Sequence, residues 1–100
     1  MTAQVLLHAP TPDALQRARS NARNLLSDMP DAQVRIIANA QAVAACLNDQ
    51  AHDSDAYTYL CPNTLRNQGL QAPARLHVLD QGAVTTLVLL QQAGWLYIRA

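Results

Sequence analysis

The sequence predicts an α/β fold, with an open and mainly parallel sheet of five strands covered by helices on both faces. Short β-branched or aliphatic runs alternate along the chain with longer segments whose apolar residues recur every three or four positions. Proline, glycine and other turn-forming residues stand between the two kinds of segment. Strands that alternate with helices pair in parallel through right-handed crossovers, which place helices over the sheet.

The first two predicted elements are a strand over residues 4–8 and a helix that begins at Pro12. The strand segment is apolar and too short for a helix, which is typical of a strand buried on both faces. The helix has an apolar stripe that starts at Leu15 and should lie on the sheet, and Pro30 ends it.

A second strand and helix are predicted over residues 33–38 and 39–47, with Asn39 as the helix cap. Cys46 lies in this Ala-rich helix and is expected to be a small core residue. Residues 48–55 combine aspartates, a serine and one histidine without metal-ligand spacing, so a solvated loop is predicted there.

The third strand, over residues 57–60, runs directly into a helix whose first turn contains Pro62. Proline is favoured at the first helical position, since its missing N–H would have no partner there, so Cys61 is the predicted N-cap. Gly69 is placed to end this helix.

Residues 75–79 predict the fourth strand, residues 83–93 a fourth helix, and residues 95–99 the last strand after Gly94. The fourth helix contains the sequence Leu-Val-Leu-Leu at 87–90, which leaves it little polar surface. A helix that is apolar nearly all round needs a second partner, so self-association is expected.

Composition limits the functions open to this chain. One hundred residues suit a single domain, 1–100, and a formal net charge of zero argues against a nucleic-acid-binding surface. The N-terminal segment lacks the pattern of a signal peptide, and no segment reaches the roughly 18 apolar residues that cross a bilayer. A cytoplasmic protein with two reduced cysteines, no metal site and no cofactor is therefore predicted.

Cys61 is the strongest candidate for chemistry, because the N–H groups and positive dipole end of a helix stabilise a thiolate. Asn63 and Thr64, in the same helical turn, could hold an oxyanion or a persulfide, or could simply cap the helix. His8 and Asn39 also lie near predicted strand carboxyl ends, where ligands bind in such sheets, and His8 could act as a base if its strand were adjacent to that of Cys61. The alternative is that Cys61 is a small, half-buried hydrophobic residue.

Four short segments together resemble the DsrE/DsrF-like family. They are Asn-Leu-Leu at 24–26, Cys-Pro-Asn-Thr-Leu at 61–65, Asp-Gln-Gly-Ala-Val at 80–84 and Ala-Gly-Trp-Leu-Tyr-Ile at 93–98. The resemblance implies a three-layer α/β/α fold around a five-stranded parallel sheet, and assembly into dimers, trimers or hexamers. It also implies that Cys61 carries sulfur as a persulfide and passes it to a sulfur-acceptor protein.

Three hypotheses follow from the sequence. In the first, the Cys61 thiolate accepts sulfane sulfur and transfers it to a partner. In the second, a homo-oligomeric module without catalytic activity binds a small anion or nucleotide-like ligand near His8, Asn39 and Cys61. In the third, the chain is a structural subunit that acts through its apolar fourth helix.

Overall fold

The computed structural model describes residues 2–100, so that Met1, the first residue of the predicted domain, lies outside the described residues. The elements in chain order are β1 Gln4–Ala9, α1 Pro12–Asp28, β2 Gln33–Ala38, α2 Gln41–Asn48, a 3₁₀ helix Asp53–Tyr57, β3 Thr58–Leu60, α3 Pro62–Gln68, β4 His77–Val78, α4 Ala83–Gln92 and β5 Leu96–Arg99.

The five strands form one sheet in the order β4-β3-β2-β1-β5, and every pair is parallel. The predicted α/β class is confirmed. The chain moves outward from β1 to β4 and then crosses back to place β5 on the other side of β1. Because parallel crossovers are right-handed, the first three connections lie on one face of the sheet and the last lies on the opposite face.

Two apolar clusters occupy the two faces of the sheet. The larger contains the buried apolar residues of α1 and α2 together with Val5 and Leu7 of β1. The smaller contains Leu6 of β1 together with Ala83 and Leu87 of α4. Successive side chains of a strand point to opposite faces, so β1 contributes to both clusters and is buried on both sides, as its apolar run predicts.

The segment predicted as a solvated loop, 48–55, is held against the fold instead. The side chain of His52 accepts a hydrogen bond from the Ser54 N–H, and the Asp55 carboxylate accepts one from the His52 N–H, which starts the 3₁₀ helix. Asp55 is buried and lies 2.9 Å from the guanidinium of Arg75. The polar composition of residues 48–55 did not indicate this arrangement, because Arg75, the partner of Asp55, lies twenty residues away in sequence.

β4 is shorter than the predicted strand over residues 75–79, and it begins after Arg75. The Arg75 guanidinium donates to the carbonyl oxygens of Cys46 and Asp49 as well as to Asp55. Arg75 therefore joins the end of α2 to the 3₁₀ helix, and only His77 and Val78 pair with β3.

Helix α4 buries Ala83 and Leu87, while Val84, Val88 and Leu89 stay exposed. Of the apolar residues predicted at 87–90, Leu87 thus lies in the core, whereas Val88 and Leu89 lie on the surface. Among residues 2–100, no helix is both long and apolar enough to cross a membrane.

We expect Arg75→Met to lower the free energy of unfolding by about 3 kcal/mol, since it leaves the Asp55 carboxylate buried without its cation. Chemical denaturation of the purified protein measures the change. Arg23→Met is the matched control on the exposed side of α1, and its effect should stay within about 0.5 kcal/mol. Equal effects of the two substitutions would show that the buried ion pair does not stabilise the fold.

Candidate functional site

Cys61 lies between the end of β3 and the first turn of α3. Its backbone is extended, with φ −68° and ψ 121°, and its N–H donates to the Ala38 carbonyl of the neighbouring strand at 2.9 Å. Its own carbonyl accepts from the Leu65 N–H at 3.2 Å, which is the first hydrogen bond of the helix. The predicted N-cap position and the predicted helix end at Gly69, where φ is +64°, are both confirmed.

The Cys61 sulfur faces the beginnings of two helices. The N–H of Ala83, the first residue of α4, donates to Sγ across 3.4 Å. The N–H groups of Asn63 and Thr64 in α3 also act on the sulfur, although neither forms a capping hydrogen bond of normal geometry. The start of α4 thus adds a donor that belongs to a distant part of the chain.

Two opposing effects set the acidity of this thiol. Burial raises the pKa of Cys61, but the N–H groups of Thr64, Ala83 and Asn63 and the Thr64 hydroxyl favour the thiolate. The donors outweigh the burial, and the pKa of Cys61 is lowered from its ordinary value. The side chain is only 5% exposed, so this acidic thiol lies just beneath the surface.

Thr64 is oriented by a neighbour from another element. Its Oγ1 accepts a hydrogen bond from the Ala40 N–H at 3.2 Å, which leaves its own proton free to act on Cys61. Ala40 has φ +50°, a conformation that a residue with a Cβ adopts at a cost of about 1 kcal/mol or more. The tight turn from β2 into α2 therefore presents the Ala40 N–H to Thr64.

Gly82 lies against the Asn63 side chain, between the beginnings of α3 and α4. A Cβ at this position would lie 2.6 Å from the amide nitrogen of the Asn63 side chain. The Asn63 amide oxygen accepts a hydrogen bond from Arg66, so this side chain packs between Gly82 and α3. The Asn63 side chain thus lies against Gly82, where α3 and α4 begin.

His8 and Asn39 form a second group on the same edge of the sheet. His8 Nε2 lies 3.0 Å from Asn39 Oδ1, and its Nδ1 lies 2.6 Å from the Tyr97 hydroxyl. An amide oxygen only accepts, so Nε2 carries the proton and Nδ1 accepts from Tyr97. Both ring nitrogens are therefore occupied by protein partners.

Strand order keeps His8 apart from the thiol, because β2 lies between β1 and β3. His8 is predicted to act as a base for Cys61 only if their strands are adjacent. The two strands are not adjacent, so this condition is not met. The prediction that Asn39 caps α2 is also wrong. Ala40 precedes the helix without a side-chain cap, and the Asn39 amide is used by His8.

The sequence did not indicate three of the contacts at the site, which are made by Ala83, Ala40 and Tyr97. The first two act through backbone N–H groups, which any residue except proline carries, so residue type gives no signal. Tyr97 lies in the alternating pattern of β5, but its contact with His8 depends on β5 pairing with β1.

The second cysteine has a different environment. Cys46 belongs to the cluster under α1 and α2, on the opposite face of the sheet from Cys61, and both thiols are free. Burial raises the pKa of Cys46 to about 11, despite partial compensation by Arg19. Within residues 2–100 no group of three or more His, Cys or Asp side chains is placed to hold a metal ion.

No protein-family model matches the chain, and no curated protein matches its sequence. The resemblance to DsrE/DsrF-like proteins therefore stays a prediction from four short segments.

We expect the thiolate of Cys61 to form at lower pH than that of Cys46, since donors surround one thiol and apolar side chains the other. Ultraviolet absorbance of the thiolate, titrated in Cys46→Ala and Cys61→Ala variants, separates the two ionisations. Thr64→Val, which removes the hydroxyl but keeps the shape, should raise the pKa of Cys61. The account fails if Cys61 ionises at or above the pH at which Cys46 does.

Proposed function

We propose that this protein is a sulfur carrier in which Cys61 accepts sulfane sulfur as a persulfide and passes it to a partner protein. The observation that carries the proposal is the position of Cys61 at the start of α3, where the Ala83 N–H at the start of α4 also donates to its sulfur across 3.4 Å. Such donors stabilise negative charge on the attacking thiolate and also on the terminal sulfur of a persulfide. The resemblance to DsrE/DsrF-like proteins supports the same role.

The reaction comprises two exchanges at sulfur. In the first, the Cys61 thiolate attacks the outer sulfur of a donor persulfide, R–S–SH. A new S–S bond forms to Cys61, the donor S–S bond breaks, and the donor leaves as the thiolate RS⁻. In the second, a thiolate of the partner attacks the outer sulfur of the Cys61 persulfide. Cys61 then leaves as a thiolate, so no external oxidant or reductant is consumed.

The surroundings of Cys61 favour transfer over release of sulfur to water. The sulfur is nearly buried, and its cluster includes Leu6, Ile37 and Leu79. A low pKa makes Cys61 a good leaving group in the second exchange, because leaving thiols of lower pKa depart faster. His8 is not needed as a base in this scheme, since the thiolate is stabilised by hydrogen-bond donors.

We expect the wild-type protein to gain about 32 Da on Cys61 when it is incubated with a polysulfide donor, the mass of one sulfur atom. Intact mass and peptide mapping locate the adduct. Cys61→Ser should gain none at this position, whereas Cys46→Ala, the matched control, should load as the wild type does. Thr64→Val should slow loading at neutral pH.

An unmodified Cys61 in folded wild-type protein, under conditions that load a free thiol of ordinary pKa, would reject the proposal. Loading of both cysteines to the same extent would also reject it, since the reaction would then not depend on the donors around Cys61.

We also propose that the chain self-associates through the outer face of α4. Its exposed residues include Val84, Val88 and Leu89, and the helix has no charged side chain from Ala83 to Gln92. Two copies of an uncharged, apolar face meet without repulsion between like charges, and the whole chain has no formal net charge that would keep copies apart.

Sedimentation velocity at micromolar concentration should show a species heavier than the 10.9 kDa chain. The double variant Val84→Asp/Val88→Asp should shift it to the monomer, because association would bury two carboxylates. Gln16→Asp/Asn24→Asp, at two exposed neutral positions of α1 across the sheet, is the control, because it changes the net charge by the same amount. A wild-type protein that sediments as a monomer would contradict the proposed association.

A further inference from the structure

A cavity of about 220 Å³ lies beside α4, on the side towards β3 and β4. It is here called the α4 cavity. Its lining residues include Arg35, Tyr59, Asp80, Thr86, Leu89 and Leu90. Arg35 and Tyr59 belong to the sheet, and Thr86, Leu89 and Leu90 belong to α4. The cavity therefore combines an apolar wall with one cationic side chain.

The Arg35 guanidinium lies over two aromatic rings. Its guanidinium carbon lies 5.2 Å from the ring centroid of Tyr59 and 4.7 Å from that of Trp95. A cation–π contact attracts the guanidinium through its charge and uses no hydrogen-bond acceptor, so the N–H groups of Arg35 stay available as donors. Tyr59 in turn stacks on His77, with centroids 4.6 Å apart, which holds the ring in place.

The half-buried Arg35 differs from the other sheltered arginines in having no acceptor. Arg19 pairs with Asp49, and Arg75 pairs with Asp55. In the part of the chain that the structure describes, Arg35 forms neither an ion pair nor a hydrogen bond. Asp80 is the other charged residue of the lining, and it is exposed and makes no ion pair with Arg35. A sheltered guanidinium without an acceptor, facing a cavity, is suited to an anion from outside the chain.

We propose that the α4 cavity binds a small organic anion, with its carboxylate or phosphate group on Arg35 and its apolar body between Tyr59 and α4. A cavity of roughly 150 Å³ accepts benzene. The α4 cavity is larger and therefore has room for one ring with a short acidic side chain. The site involves neither Cys61 nor the His8 group, so it does not depend on the proposed sulfur chemistry.

Trp95 provides the signal for the test, since it is the single tryptophan and contacts Arg35. Its fluorescence and the amide resonances of the protein are followed during titration with 3-phenylpropionate and with phenyl phosphate. Comparison of the two anions shows which head group is preferred. 3-Phenylpropionamide has the same body without the charge, and its affinity should be at least about tenfold lower.

Arg35→Gln should weaken binding of both anions about tenfold or more, and Arg23→Gln, which removes an exposed charge on α1, should leave it unchanged. Thr86→Phe fills the cavity from α4 and keeps Arg35, so it should abolish binding even if Arg35→Gln unfolds the protein. Cys61→Ser should still show saturable binding of both anions, which separates this site from the sulfur proposal.

Three results would overturn the proposal. They are equal affinity for the acid and its amide, equal affinity of wild type and Thr86→Phe, and the absence of saturable shifts with either anion at millimolar concentration. Shifts confined to resonances away from Tyr59, Leu79 and α4 would place the anion elsewhere and overturn it as well.

Discussion

Burial of β1 on both faces and along both edges is the constraint on which the rest of the structure depends. β1 pairs with β2 and with β5, and its residues Leu6 and Leu7 supply both apolar clusters. With β5 on that side of β1, the connection after β4 must cross back over the sheet, and its right-handed course places α4 on the face opposite α1. The same crossing brings the Ala83 N–H to Cys61, so one of the donors that lower the pKa of the thiol is placed there by strand order.

The two cysteines show that burial alone does not decide the state of a thiol. Both side chains are nearly inaccessible, with Cys46 0% and Cys61 5% exposed, and burial raises the pKa of each. Cys46 lies within α2, where the backbone N–H groups are used by the helix, and its pKa stays high. Cys61 precedes a helix, where the first N–H groups lack partners inside that helix, and those groups act on its sulfur. Cys46 is also the more deeply buried of the two, so its depth and its place inside a helix both separate its acidity from that of Cys61.

The fold class, the order of elements and the cap at Cys61 could be predicted because they depend on local signals. Apolar periodicity, Pro62 and Gly69 act within a few residues of their own positions. The contacts of Asn39, Asp55 and Ala83 could not be predicted, since each joins elements far apart in sequence. Asparagine is a residue type that often caps helices. In the structure, however, the side-chain amide of Asn39 forms a hydrogen bond with His8 on β1. Long-range pairs of this kind require the strand order, which periodicity does not contain.

Helix α4 links the thiol to the α4 cavity. Its first residue, Ala83, donates to Cys61, and Thr86 and Leu89, further along the same helix, line the cavity. Leu79 belongs to both, because it lines the cavity and also packs in the cluster that contains Cys61. A ligand that displaces the start of α4 changes the distance from the Ala83 N–H to the sulfur, and with it the stability of the thiolate. By linkage, the ionisation of Cys61 then changes the affinity of the cavity by the same factor. If α4 is rigid, this coupling is absent. The size of the coupling between the two sites therefore reports how freely α4 moves on the sheet.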